Sequence, residues 1–175
     1  MPVRKIVEFN APPDLVYPWV ADPELSKQWL KGLESTVFEE TPPKVGTQFV
    51  QRINEGGRIK EYAGVVTARK PDHRFSITLE GGSATVAADY QFDRLTGDRT
   101  RLTYTCDLVN PSRFARVLMF LFAPVNRMLL NTQMRKLKEL VEGRTGPRGR
   151  TPGAETDSSA PLLEVPGQQF ERTSG

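Results

Sequence analysis

The chain has 175 residues, 38% of them hydrophobic and 26% charged, the make-up of one soluble globular domain. Its net charge of +3 does not describe a nucleic-acid surface, because residues 112–142 carry Arg113, Arg116, Arg127, Arg135, Lys136 and Lys138 against Glu139 and Glu142 alone, which leaves the remainder nearly neutral. Cys106 is the one cysteine, which excludes an internal disulfide; the N-terminal residues lack the apolar core of a signal peptide, so a reducing, cytoplasmic location is expected.

Residues 3–9 read as a strand closed by Asn10-Ala11-Pro12-Pro13. Proline suits the first turn of a helix, and Leu15, Val16, Trp19 and Val20 follow at helical spacing. Asp22-Pro23 ends that helix and starts a second, with Asp22 as N-cap, Glu24 in the first turn and Leu25, Trp29 and Leu30 as apolar positions. From Glu34 the pattern changes to strands separated by turn residues. Residues 35–40 form one strand, and 46–54 and 58–69 flank Glu55-Gly56-Gly57, a hairpin turn in which glycine accepts positive φ. Pro71-Asp72, Gly81-Gly82 and Thr96-Gly97-Asp98 mark further turns. Between them Phe75, Ile77 and Leu79, then Val86, Ala88, Tyr90 and Phe92, then Leu102, Tyr104, Cys106 and Leu108 alternate with more polar neighbours. Hairpin follows hairpin, so the sheet is expected to be antiparallel with one dry and one wet face.

Residues 112–143 read as one long amphipathic helix kinked at Pro124, where proline removes a backbone donor and crowds the preceding turn. Before the proline Phe114, Val117, Leu118, Leu121 and Phe122 share a face. After it Leu129, Leu130, Met134, Leu137, Leu140 and Val141 make an apolar arc opposite Arg127, Asn131, Arg135, Lys138 and Glu142. This is the one element large enough to cover the dry face of the sheet. Asn126 and Gln133 fall inside the arc, and polar groups there need partners in the sheet or a cavity to look into. The apolar run 117–125 is far shorter than the about 20 residues that span a bilayer. Beyond Gly143 the composition turns to Gly, Pro, Ser and Thr, so 1–143 is expected to fold and 144–175 to form a disordered tail.

The order of one strand, two helices, six strands and a long helix comes with a set of motifs. These are Ala11-Pro12-Pro13-Asp14-Leu15-Val16-Tyr17 with Ala21-Asp22-Pro23 and Trp29, then Val45-Gly46-Thr47-Gln48-Phe49, then Glu61-Tyr62-Ala63-Gly64-Val65-Val66 followed by Lys70-Pro71. Tyr90-Gln91-Phe92, Thr100-Arg101-Leu102-Thr103-Tyr104 and Leu137-Lys138-Glu139-Leu140 complete it. Over residues 3–142 the set resembles the START-related, or SRPBCC, helix-grip superfamily, and within it the polyketide cyclase/dehydrase and lipid-transport-like family. The resemblance implies an α+β fold in which a curved antiparallel sheet of about seven strands grips the C-terminal helix over an apolar cavity.

Trp29, Phe49, Tyr62, Phe75, Ile77, Tyr90, Tyr104, Asn126, Leu130, Gln133 and Leu137 are the candidate lining residues, and they either line such a cavity or fill a packed core. His73 lies in a turn and Cys106 on an alternating strand. No metal-ligand spacing, nucleophile elbow or phosphate-binding loop accompanies them, so no cofactor or metal is expected. Glu61 and Asp89 fall on the opposite face from Tyr62 and Tyr90, away from any substrate between sheet and helix. Three readings follow. The first is binding or carriage of a small hydrophobic molecule (a lipid, quinone or polyketide-like compound). The second is a cyclase- or hydrolase-like enzyme in which Tyr62, Tyr104, Asn126 and Gln133 orient a polyketide-like substrate. The third is an interaction module whose apolar first half-helix, with Met119 and Phe120 off the main stripe, contacts a membrane, a partner or a second copy. Entry of a ligand would use Pro124 as a hinge and 114–122 as a lid beside the Gly56-Gly57 hairpin.

Overall fold

The computed structural model describes residues 3–81, 84–109 and 113–145, with the side chains of 81, 84, 113–126 and 145 excepted. The chain order is β1 (Val3–Phe9), α1 (Pro13–Val16), α2 (Pro18–Ala21), α3 (Pro23–Ser26), β2 (Leu33–Phe38), β3 (Gln48–Glu55), β4 (Arg58–Lys70), β5 (Arg74–Gly81), β6 (Ala84–Leu95), β7 (Arg99–Val109) and α4 (Arg113–Thr145). The seven strands form one sheet in the order β1-β7-β6-β5-β4-β3-β2, antiparallel throughout. β2 to β7 are a meander, and β1 closes onto β7 from the other end of the sequence. This is the α+β helix-grip architecture, with an open sheet.

Each strand break has a local cause. The β3–β4 turn is Gly56-Gly57, both at positive φ (63° and 89°), and the Gly57 N–H donates to Asn54 Oδ1 at 2.9 Å. At the helices the sequence reading needs a correction, since residues 13–21 form two single-turn helices and not one. Pro18 has no N–H to continue the ladder, although Tyr17 itself stays right-handed helical and its carbonyl accepts from both Val20 and Ala21. Asp22 caps α3 as its position suggests, accepting from the Glu24 N–H at 2.8 Å.

Register sorts the side chains. Phe9, Leu102, Tyr104, Phe92, Tyr90, Ile77, Phe75, Phe49 and Phe38 share the inward face, while Glu8, Arg101, Asp89, Arg74, Glu61 and Arg52 point outward. A shift between Val66 and Ala68 reverses the phase of β4, so Arg69 lies opposite Phe75. Outside, Glu8 pairs with Arg99 at 2.7 Å and Arg101 at 3.0 Å, and Arg52 meets Glu61 at 3.4 Å.

α4 is a single helix that runs through Pro124 and reaches Thr145, two residues beyond the end read from the sequence. Met134, Leu137 and Val141 form its buried stripe, each worth about 2 kcal/mol of transfer free energy. Leu130 and Leu140 flank the stripe, but Leu129 is 37% exposed. Its end is tied to β1 by the Asn10 N–H donating to Glu142 Oε1 at 2.9 Å, and the Arg144 guanidinium lies 4.9 Å from the Trp19 ring. Among the described residues no helix is long and apolar enough to cross a membrane. The side chains of the proposed lid at 114–122, Met119 and Phe120 among them, the Asn126 side chain and the tail beyond Thr145 lie outside the described residues.

Candidate ligand cavity

One end of the space under the sheet is solid. Tyr17 sets its ring edge against Phe92 at 5.4 Å and Phe75 at 6.4 Å, and Phe9, Trp19, Leu102, Leu137 and Val141 belong to the same buried cluster. Next to it lies a cavity of about 30 Å³, enough for roughly one or two water molecules or one small ligand group. From the helical side it is lined by Val20, Ala21, Pro23, Ser26, Trp29 and Leu30. The sheet contributes Thr36, Phe38, Phe49, Gln51, Phe75, Ile77 and Tyr90.

The walls are held by specific contacts. The Trp29 indole N–H donates to the Trp19 carbonyl at 2.7 Å, which fixes the ring as a buried wall. Phe49 stacks obliquely on Phe38 at 5.3 Å and lies over the backbone of β4 at Gly64. Thr47, just before Phe49, accepts from the Lys44 N–H at 2.7 Å and donates to Glu40 at 2.6 Å, so the loop entering β3 is tied down. Tyr90 leans on Tyr104 at 4.8 Å.

Five of the residues proposed from sequence meet at this cavity: Trp29, Phe49, Phe75, Ile77 and Tyr90. Leu137 is fully buried in the adjoining core, and Leu130, Gln133 and Tyr104 are half-buried on facing elements without lining it. Tyr62 is half-buried on the inward side of β4, but its hydroxyl donates to Glu55 at the hairpin end, where Lys60 also pairs with that carboxylate. Sequence reasoning missed the helix contributions of α2 and α3, and it missed Thr36, Phe38 and Gln51. The available signal was phase, since Gln51 is two residues from Phe49 and Thr36 two from Phe38.

Electrostatically the cavity is quiet. Among its described lining residues only Tyr90 titrates, and burial drives its pKa upward, with Cys106 adding to the shift. Burial likewise raises Tyr104 and the Cys106 thiol, so all three are protonated near neutral pH. The carboxylate noted on the wet face, Asp89, is placed outward as its phase demands. Burial pushes its pKa up, but hydrogen bonds from Arg74 at 2.8 Å, Ser76, and Gln91 at 2.9 Å carry it below the ordinary value. His73 sits in the β4–β5 turn, its N–H bonded to the Lys70 carbonyl.

The architecture is thus an antiparallel sheet with a long C-terminal helix and a mainly apolar cavity against β2, β3, β5 and β6. A family model described as polyketide cyclase / dehydrase and lipid transport matches residues 3–142, and the chain belongs to that family. No curated protein matches the sequence. Solved structures share the fold. A Rhodobacter sphaeroides protein is 21% identical with a TM-score of 0.66, covering 81% of this chain and 92% of its own. A Thermus thermophilus protein is 19% identical with a TM-score of 0.64, covering 83% and 100%. The di-domain ARO/CYC BexL from the BE-7585A biosynthetic pathway is 14% identical with a TM-score of 0.65 over 84% of this chain and 48% of its own. Family membership suggests a ligand-binding or cyclase role.

Proposed function

We propose that the protein binds or carries a small hydrophobic molecule in the cavity under its sheet, acting in the cytoplasm with that molecule as its partner. The observation that carries this reading is the cavity bounded by Trp29, Phe38, Phe49, Phe75 and Tyr90, whose described lining holds no group able to exchange a proton near neutral pH. The test is titration of the full chain with the neutral fluorophore N-phenyl-1-naphthylamine, combined with native mass spectrometry of freshly purified protein. Saturable binding that quenches the tryptophan emission of Trp19 and Trp29 supports the reading. Absence of both saturable fluorescence and a co-purifying apolar species removes it.

A cyclase-like action on a polyketide-like substrate is the second reading, favoured by the shared fold with the di-domain ARO/CYC BexL. It requires polar groups that orient a substrate's carbonyls. Accelerated cyclisation of a poly-β-ketone thioester mimic, lost on Tyr90→Phe, would establish it over simple carriage.

A further inference from the structure

We infer that Thr36 and Gln51 form a hydrogen-bonding subsite for a neutral oxygen-bearing group, a carbonyl or hydroxyl, at the inner end of the bound molecule. The inference rests on the binding reading above and specifies which chemistry that site accepts. Thr36 and Gln51 are direct cross-strand partners on the inward face of β2 and β3, and both line the cavity. The Thr36 hydroxyl oxygen is buried without a hydrogen-bond partner. Gln51 is 9% exposed, and among the described residues no hydrogen bond reaches its side-chain amide. Buried polar groups are normally paired, and the unpaired Thr36 hydroxyl beside an unbonded amide in a mainly apolar wall is costly to keep. Of the other polar lining groups, Ser26 Oγ donates to the Pro23 carbonyl and the Trp29 N–H to the Trp19 carbonyl.

The donors set the ligand's chemistry. A hydroxyl and an amide N–H carried by cross-strand partners suit an acceptor oxygen, while the amide oxygen of Gln51 also takes a proton from a hydroxyl. No lysine, arginine, histidine or carboxylate is among the described lining residues. A carboxylate or phosphate there would be buried without a counter-charge, so the subsite selects against anions. The volume of about 30 Å³ admits the polar group and the carbon bearing it, and the aromatic walls of Phe49, Phe75 and Trp29 meet the rest of the ligand.

Three matched probes test this: 2-acetylnaphthalene, 2-ethylnaphthalene and 2-naphthoate, each displacing N-phenyl-1-naphthylamine from the full chain. Wild type is compared with Gln51→Met and with Thr36→Val, folding of each being checked by thermal unfolding. The acetyl-to-ethyl affinity ratio should fall by about three- to tenfold in each variant, because intrinsic differences in probe solubility cancel between proteins. Wild type should also bind the acetyl compound better than the naphthoate. An acetyl-to-ethyl ratio unchanged in both variants, with 2-ethylnaphthalene still bound, overturns the subsite and leaves hydrophobic binding standing. Naphthoate binding as tightly as the ketone overturns the neutral character of the site. Failure of wild type to bind even 2-ethylnaphthalene removes the binding reading, and the subsite with it.

Discussion

Gly64→Ala is the sharpest test of how the cavity wall is built. A Cβ at Gly64 would stand 2.4 Å from Phe49 Cζ, 2.7 Å from Phe49 Cε2 and 2.7 Å from the Thr78 carbonyl oxygen. Carbon atoms rest at about 3.5 to 4.0 Å, so the ring must move by about an ångström, and the Thr78 contact is with backbone that pairs β5 to β4. Phe38, whose ring lies 5.3 Å away, blocks one direction of retreat. Overpacking of this kind costs about 2 to 3 kcal/mol, which for a domain of this size lowers Tm by roughly 6 to 12 °C. Thermal unfolding followed by circular dichroism reads the shift directly. Adding Phe49→Leu should return part of the loss by freeing the ring's space but not all of it, since the carbonyl contact remains. A Gly64→Ala protein melting within about 2 °C of wild type would show that Phe49 does not lie over this backbone.

Asp22→Ala removes the cap of α3 and should cost about 1 kcal/mol, seen as a Tm lower by roughly 3 °C. Trp29→Phe leaves the Trp19 carbonyl unpaired and should cost about 2 kcal/mol in urea unfolding while weakening probe binding. Asp89→Asn tests linkage. The folded-state pKa of Asp89 is depressed, so its contribution is fully present above the unfolded value of about 3.9 and is lost as pH falls through the lower folded value. The stability gap between wild type and Asp89→Asn should therefore be wide at pH 6 and close as acid is added below the unfolded value, and a gap independent of pH would contradict it. The Cys106 thiol, raised by burial, should react with a disulfide reagent more slowly in the native protein than after unfolding.

How far the sequence alone reaches is visible in single residues. Alternation in 74–80 and 99–108 reports which face is dry, because a period of two leaves no other choice once one side packs. It fails in β4, where the shift between Val66 and Ala68 brings Arg69 to the Phe75 side; an extra residue leaves no compositional mark. It fails differently at Gln51 and Thr36. Both sit in the inward phase, but a polar residue among strand residues reads as solvated until burial is known. The α2 and α3 contributions were illegible for a third reason: four-residue helices are too short for a 3.6-residue period to reveal which side faces inward. Tyr62 shows the limit of phase itself. It does turn inward, but position along the strand puts its hydroxyl at the hairpin carboxylate and away from the aromatic cavity.

The pairing of β1 with β7 has a consequence for how the molecule is made. Every other strand pairs with its neighbour in sequence, whereas the bond from Thr100 Oγ1 to the Ala11 carbonyl and the ion pair from Arg99 to Glu8 span 89 and 91 residues. Loop closure over that distance is the slow, entropically expensive event in assembling such a sheet. On a ribosome, β1 emerges first and waits for its partner through the synthesis of all the other strands, and until it docks the edge of β7 offers unpaired N–H and C=O groups to any other chain. Pulse-labelled hydrogen exchange during refolding should find β3 and β4 amides protected before those of β1. Simultaneous protection would place the β1–β7 contact in the nucleus and make the chain's two ends, not its central hairpins, the place where folding starts.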